Sequence, residues 1–324
     1  MGGQARKTAE QKIGAFADFG DFDEDIDSAV AIGIDSGATL LKVCVQDSRG
    51  ELFFATWASP SLDRVLALIE RLAPNRLGVT GCGAAAILEA LDRPVKHPIE
   101  FDAWGCGANE ILDFVGLGSR EPYLLISIGT GTSALRVAGD QVERVGGTAL
   151  GGGTALGLGL ALTGCRTHGE LVALAARGNR GGVDLLISDI YEKVEAPIAA
   201  GATASSFGKL ARSLGAEGLA GGLGSPDKSR SADQDSRKDS AKSAAKSEDL
   251  AAAVMGLVAE NIALISNARA TVAGVSRIVY GGSTLYENPT IIETVRLLSS
   301  VMGFEAIILP ASGHAGALGA MRLS

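Results

Sequence analysis

Glycine gathers with threonine and serine at three places in this 324-residue chain, each of them beside an apolar run or a helical stretch. Gly129-Thr130-Gly131-Thr132-Ser133 follows Leu124, Leu125, Ile126 and Ile128, a run of the length and composition of a buried strand. Gly146-Gly147-Thr148-Ala149-Leu150-Gly151-Gly152-Gly153-Thr154 runs into an Ala/Leu-rich helical stretch, and Gly281-Gly282-Ser283-Thr284 ends the strand Arg277 to Tyr280. Glycines leave backbone N–H groups unobstructed and hydroxyls add donors, which is what a phosphate-bearing ligand needs from a neutral loop. At a helix N-terminus they also open the free N–H groups and the positive end of the dipole to phosphate. A plain hairpin turn is the competing reading of the first cluster. Three glycine turns at strand ends carry the nucleotide reading further than any one. Neither GxxxxGK[ST] nor a GxGxxG after the first strand is present, so the architecture is neither a P-loop nor a dinucleotide-binding fold.

Five charged residues are further candidates. Asp35 opens the turn Asp35-Ser36-Gly37-Ala38-Thr39, and its carboxylate is a hard oxygen ligand suited to Mg²⁺. A turn-forming aspartate bonded to its own backbone is the alternative. Lys42 adds a positive charge nearby. Glu100 and Asp102 lie just before the helical stretch Gly105 to Val115, and one of them is a candidate general base toward a hydroxyl substrate. Helix capping by Asp102 and a surface Glu100 is the bland reading. Arg144, between two glycine clusters, suits a carboxylate or phosphate of a ligand, against a surface arginine on a hairpin.

The elements that must position these residues follow from the hydrophobic pattern. Ala29 to Ile34, Leu40 to Gln46 and Glu51 to Trp57 read as strands, Pro60 to Leu72 as a helix, Arg76 to Val79 as a strand and the small residues to Leu91 as a helix. This βββαβα order is a mixed sheet flanked by helices. A second lobe starts near Glu121 with the hairpin Leu124 to Val145. The long helix Leu250 to Ala273, a strand Arg277 to Tyr280, a helix Pro289 to Met302, a strand Glu305 to Leu309 and a small-residue helix from Gly313 to Ala320 complete it.

With 46% hydrophobic residues, the chain can bury a large core in two lobes. A net charge of -8, a pI near 5.1 and no basic stripe with interleaved aromatics argue against nucleic acid. Cys44, Cys82, Cys106 and Cys165 form no CxxC pair, and His97, His168 and His314 are too few to complete a zinc site with them. They read as small buried residues in a reducing compartment. No apolar leader or membrane span is expected, which implies a cytoplasmic protein. Residues 1–28 read as a disordered acidic tail, and 215–247, rich in Ser, Lys, Asp, Gly and Ala, as a disordered insertion.

Eight blocks in order, GIDSGATLLK (Gly33 to Lys42), IEFDA (Ile99 to Ala103), SIGTGTS (Ser127 to Ser133), RVGGTALGGGT (Arg144 to Thr154), VDLLISDIY (Val183 to Tyr191), TASSFGK (Thr203 to Lys209), IVYGGSTLYEN (Ile278 to Asn288) and GHAGALGA (Gly313 to Ala320), resemble those of the type II pantothenate kinases. These belong to the acetate kinase/sugar kinase/Hsp70/actin superfamily. The resemblance implies an α/β protein of two ribonuclease H-like lobes, the actin-like ATPase fold, with mixed sheets flanked by helices, here 29–118 and 119–324. It implies a homodimer, ATP and Mg²⁺ as cofactors, and transfer of a phosphoryl group to the terminal hydroxyl of pantothenate in coenzyme A synthesis. Carried over by motif, Asp35, Gly37, Ala38, Thr39 and Lys42 line phosphates and metal, with Asp35 the metal ligand. Thr130, Gly131, Gly152, Gly153, Thr154, Ala155 and Leu156 contact ATP, and His168 and Ser283 lie near the nucleoside. Glu100 is the base, and Arg144 with Ser133 binds pantothenate. Coenzyme A or an acyl-CoA is the expected regulator, and neither membrane nor nucleic acid is a partner. Two positions depart from the family pattern: Ala38 replaces a glycine of DxGGT, and Asn179 an aspartate of GDR. They keep two alternatives open, another kinase or ATPase of the superfamily (sugar or activator type) and a non-catalytic nucleotide or acyl-CoA sensor.

Overall fold

The structure, a computed structural model, describes residues 13–17, 26, 28–118, 121–191, 201–213 and 245–324. In chain order the elements are β1 (Ile13–Ala17), β2 (Ala31–Ser36), β3 (Leu40–Gln46), β4 (Leu52–Ala58), α1 (Leu62–Leu72), β5 (Arg76–Thr80), α2 (Ala84–Ala90), α3 (Glu100–Phe114), β6 (Tyr123–Ile128), β7 (Thr132–Ala138) and β8 (Gln141–Thr148). Then follow α4 (Gly152–Thr163), α5 (His168–Ala175), β9 (Leu185–Leu186), β10 (Thr203–Ser205), α6 (Gly208–Ser213), α7 (Ser247–Ala273), β11 (Arg277–Gly281), α8 (Pro289–Val301), β12 (Glu305–Ile308) and α9 (Ala315–Arg322).

Two five-stranded sheets carry the architecture, ordered β1-β4-β3-β2-β5 and β12-β11-β6-β7-β8. In the first, β2, β3 and β4 form an antiparallel meander and β5 runs parallel to β2. In the second, β6, β7 and β8 repeat the meander, and β11 runs parallel to β6. The fifth position of the second sheet is β12, parallel to β11; in the first, a single parallel bridge from Lys96 to Gly78 occupies it. The two sheets thus repeat one order, as two ribonuclease H-like lobes require. β2, β6 and β11, inside the two sheets, are buried along nearly their whole length rather than alternately, because both faces are covered.

Small residues decide how the helices seat. A Cβ at Gly107 of α3 would overlap the Ala315 carbonyl of α9, and one at Gly319 of α9 would overlap the Ala103 carbonyl of α3. Gly33 of β2 likewise has no room for a Cβ beside the Ala317 carbonyl. So α9 lies against α3 and the first sheet at backbone distance, and Trp104, Ala315, Ala317 and Leu318 join β6, β7 and β11 residues in one core.

By contact density the chain divides into two compact units, one of Met1–Thr154, Glu260–Asn288 and Ile292–Ser324, the other of Ala155–Ala259 with Pro289–Ile291. Both sheets belong to the first. In the second, Val183, Leu250 and Ala253 form a small core with Phe207 and Leu210 packed on it, and β9 pairs with β10. Buried Asp184 accepts from Arg180 Nε at 2.7 Å and from the Phe207 N–H at 2.8 Å.

Three sequence expectations change. Inside the segment expected to be a disordered tail, Ile13–Ala17 pairs in parallel with β4, because this apolar run completes an open sheet edge; the rest of 1–25 lies outside the described residues, as does 215–244 of the expected insertion, while Ser247 already opens α7. The helix expected from Gly105 starts at Glu100. Among the described residues one helix, α7, is long and apolar enough to cross a membrane by length and composition, as a core helix also is. Its Ala253, Val254, Val258 and Ile262 are buried.

Candidate active site

The first catalytic feature is a row across three strands. Asp35 of β2 is opposite Lys42 of β3, and Lys42 is opposite Thr56 of β4, so all three share one face of the sheet. Asp35 is 2% exposed, and Lys42 Nζ lies 3.6 Å from its Oδ2. A Cβ at Gly81 would stand 2.8 Å from Asp35 Oδ1, and one at Gly316 would stand 2.7 Å from Oδ2 and 2.9 Å from Trp104 Nε1. Backbone therefore closes around the carboxylate on two sides. Burial pushes the Asp35 carboxyl above its usual range, and Lys42 opposes that shift. The turn after β2 is closed by the Gly37 N–H donating to the Leu40 carbonyl at 3.0 Å, so the turn does not depend on the Asp35 side chain. Ala38 does not adopt a positive φ, so its methyl adds no backbone strain where a glycine is usual.

Glu100 is the first residue of α3, with Ile99 as the cap. Asp102 is then the third helical residue and not the cap, which removes the capping half of the competing reading, while Glu100 is at the surface, as its other half has it. The Glu100 carboxyl is held above its ordinary range first by desolvation and then by the negative charge of Asp35, with Lys42 opposing. A carboxylate tuned upward in this way is a better proton acceptor near neutral pH.

The next residue, Phe101, brings in Arg144, whose guanidinium carbon lies 5.8 Å from the Phe101 ring centroid. A Cβ at Gly147 would stand 2.9 Å from Arg144 Nη2, so the glycine makes space for the guanidinium. Ser133 is the cross-strand partner of Gly147. Arg144 thus lies by the Phe101 ring of α3, beside the strand position that pairs with Ser133.

The glycine loops are arranged differently from the sequence expectation. The Gly152 N–H donates to the Gly129 carbonyl at 2.8 Å and the Gly153 N–H to the Thr130 carbonyl at 3.0 Å. These two α4 amides are occupied by the first loop rather than open to phosphate, because Gly151 lets the loops approach: a Cβ there would meet the Thr130 and Gly129 carbonyls at 2.7 and 2.8 Å. Thr284 of the third turn donates its hydroxyl to the same Gly129 carbonyl at 2.9 Å. What the loops leave exposed are hydroxyls, Thr39 and Thr130, whose oxygens are 3.0 Å apart. The Thr154 hydroxyl donates to the Ala149 carbonyl at 3.0 Å. Gly131 bonds back to Gly129 through its carbonyl at 2.9 Å. Ser283 follows Gly282, whose φ of 113° and lack of space against Ile128 require glycine.

Ala155, Leu156 and His168 belong to the second unit. The first two continue α4, and His168 opens α5 behind a capping box of Thr167 and Glu170. Asn179 caps the short 3-10 turn Arg180–Gly182 by accepting from the Gly181 N–H at 3.0 Å, and its own N–H donates to Asp249 at 2.7 Å. Asparagine performs the capping that an aspartate would.

The family model described as Fumble matches residues 116–323. The "Type II pantothenate kinase" of Staphylococcus saprophyticus is 30% identical over 292 residues, covering 90% of this chain and 99% of that protein. The chain belongs to the type II pantothenate kinase family. A protein of the same name from Oceanobacillus iheyensis is 32% identical over 90% of this chain and 98% of its own length. The fold is shared more widely. The activator of the 2-hydroxyisocaproyl-CoA dehydratase from Clostridium difficile, with bound ADPNP, superposes with a TM-score of 0.53 at 17% identity, over 90% of this chain and 92% of that one. A ROK family glucokinase from Streptomyces griseus, in complex with glucose and AMPPNP, gives 0.50 at 16% identity, over 90% and 98%.

Four residues packed about the candidate site of this type II pantothenate kinase family member escaped sequence reasoning: Thr56, Phe101, Trp104 and His314. Trp104 is one helical turn from Glu100 and could have been found from that spacing. Phe101 adjoins Glu100 in the chain, whereas Thr56 is brought in by strand register and His314 by α9, for which the local sequence carries no signal.

Proposed function

We propose that this chain transfers the γ-phosphoryl group of ATP to the terminal hydroxyl of pantothenate, forming 4'-phosphopantothenate at the entry to coenzyme A synthesis. The observation that carries the reading is the Arg144 guanidinium lying by the Phe101 ring of the helix that Glu100 opens. A hydroxyl acceptor with a carboxylate at its other end needs one group to take the hydroxyl proton and another to hold the carboxylate, and these are those groups.

In this reading Glu100 accepts the hydroxyl proton, Arg144 and Ser133 hold the acceptor, and Lys42 with the Thr39 and Thr130 hydroxyls faces the phosphates. Phosphoryl transfer needs positioning and charge neutralisation more than covalent catalysis, which suits this set. The buried Asp35 carboxylate fits Mg²⁺, an ion commonly held by one or two carboxylates together with substrate phosphates. Among the described residues no group of three or more His, Cys, Asp or Glu could hold a metal alone, so the cation would arrive with the nucleotide. Bound there, it would supply charge neutralisation between the phosphate oxygens. The lobe division 29–118 and 119–324, a homodimer, a cytoplasmic location and regulation by coenzyme A or an acyl-CoA belong to the same reading. Neither departure favours a non-catalytic sensor, since Ala38 is unstrained and Asn179 caps.

The test is Mg·ATP turnover by the purified protein with pantothenate, for wild type and Glu100→Gln. Pantothenate-dependent ADP release that collapses in the variant supports both reaction and base. ATP binding by wild type without such release overturns the acceptor.

A further inference from the structure

The segment Ser312 to His314 is fastened at both ends. At one end the Gly282 N–H donates to the Ser312 carbonyl at 2.8 Å, and the Ser312 hydroxyl donates to the Gly282 carbonyl at 3.0 Å. That ties it to the turn carrying Ser283, against which Gly313 packs. At the other end His314 Nε2 shares a hydrogen bond with Thr56 Oγ1 at 2.9 Å, across 258 residues of sequence and fully inside the protein. Thr56 is the third member of the row Asp35, Lys42, Thr56. His314 sits at the cap position of α9 yet makes no side-chain capping bond, so its ring serves the first sheet rather than its own helix. The ring is tilted 52° against Phe54 at 5.1 Å, and two residues on, Gly316 leaves the space that Asp35 fills. Burial first, and then the charge of Lys42, keep the imidazole neutral.

We propose that His314 is a positioning residue: through Thr56 it fixes the row that orients Lys42, and through Ser312 it makes that orientation depend on the Gly282–Ser283 turn. Nucleotide seating at that turn and the placement of Lys42 at the phosphates are then coupled by a strap of three residues. The proposal rests on reading Asp35 and Lys42 as the phosphate end of the site and Ser283 as the nucleoside end.

The test compares wild type with Thr56→Val, His314→Leu, His314→Gln, Ser312→Ala and the Thr56→Val/His314→Leu double variant. Binding of a non-hydrolysable ATP analogue with Mg²⁺ is measured by calorimetry, beside kcat, both KM values and melting temperature. The expected result is a loss of about 5- to 10-fold in analogue affinity and in kcat/KM for ATP in Thr56→Val, His314→Leu and Ser312→Ala, as for one buried hydrogen bond. The KM for pantothenate stays within about twofold, the double variant is no worse than the worse single, and His314→Gln recovers most of the loss. Lower melting temperatures with unchanged affinity and kinetics would overturn the proposal, and so would single losses that multiply in the double variant. Should His314→Leu not fold, Thr56→Val, which keeps shape and removes only the hydroxyl, decides. Should wild type bind the analogue but release no ADP with pantothenate, the acceptor reading fails while the calorimetry still decides the coupling.

Discussion

Thr39 Oγ1 and Thr130 Oγ1 lie 3.0 Å apart although 91 residues separate them. Each comes from the turn after the first strand of its own antiparallel meander, β2 for Thr39 and β6 for Thr130. The repeated topology therefore brings two equivalent turns face to face, and both threonines are exposed. A phosphate chain bound between them would meet a hydroxyl from each sheet.

Replacing either hydroxyl by a methyl group keeps the shape and removes the donor. Thr39→Val and Thr130→Val are each expected to reduce kcat/KM for ATP by about 5- to 10-fold, the net value of one hydrogen bond. Because the two oxygens already bond to each other, the double variant should lose less than the product. Steady-state kinetics of the four proteins at saturating pantothenate measures this; independent, fully multiplying losses would show that the two hydroxyls are not coupled to each other.

The pH dependence follows from Glu100. Its carboxyl is raised by desolvation and by Asp35, and a raised base loses its proton-accepting form as pH falls through that raised value. The acid limb of kcat/KM for the acceptor should then lie above the ordinary Glu range near 4.3. Lys42 opposes the shift, so Lys42→Met is expected to move the limb further toward neutral pH, whereas Glu100→Gln should abolish it and lower kcat by roughly 10²- to 10⁴-fold. A limb that survives in Glu100→Gln would assign it to another group.

The candidate residues were legible because local pattern marks them: Asp35 ends an apolar strand, Arg144 stands between glycine clusters, and Glu100 lies just before a helical stretch. The boundary of that helix was not, since Asp102 offers itself as the cap whereas α3 starts behind Ile99 instead. Nor could sequence show that Gly152 and Gly153 give their N–H groups to Gly129 and Thr130, because a glycine that frees an amide for phosphate looks the same as one that lets two loops touch. The bond from Thr56 to His314 spans 258 residues and depends on where α9 lies, a matter of tertiary packing alone.

Packing between α3 and α9 makes an asymmetric prediction for glycines. Gly319→Ala places a methyl onto the Ala103 carbonyl, where backbone must move, and overpacking of this kind destabilises by about 1–3 kcal/mol or more. Gly157, inside α4, has nothing within 4 Å of an added Cβ, so Gly157→Ala should stabilise by roughly 0.5–1 kcal/mol through helix propensity. Urea unfolding of both variants decides; a tolerated Gly319→Ala would mean that the two helices are not held at backbone distance.

His314 gives the last prediction, on stability rather than rate. Burial, reinforced by Lys42, lowers its pKa from 6.5 to about 4 in the folded chain. Below pH 6.5 the unfolded state takes up a proton that the folded state refuses until about pH 4, so stability falls across that window and levels off beneath it. At pH 5 the loss relative to neutral pH amounts to about 2 kcal/mol from this one residue. His314→Gln has no such proton to bind, so its unfolding free energy should fall less steeply between pH 7 and 5 than that of wild type, by that amount. Other titrating groups act equally in both proteins and cancel in the difference. Parallel slopes for the two would mean that the ring is protonated as readily in the folded chain as in the unfolded one, which its burial against Phe54 beside Lys42 forbids.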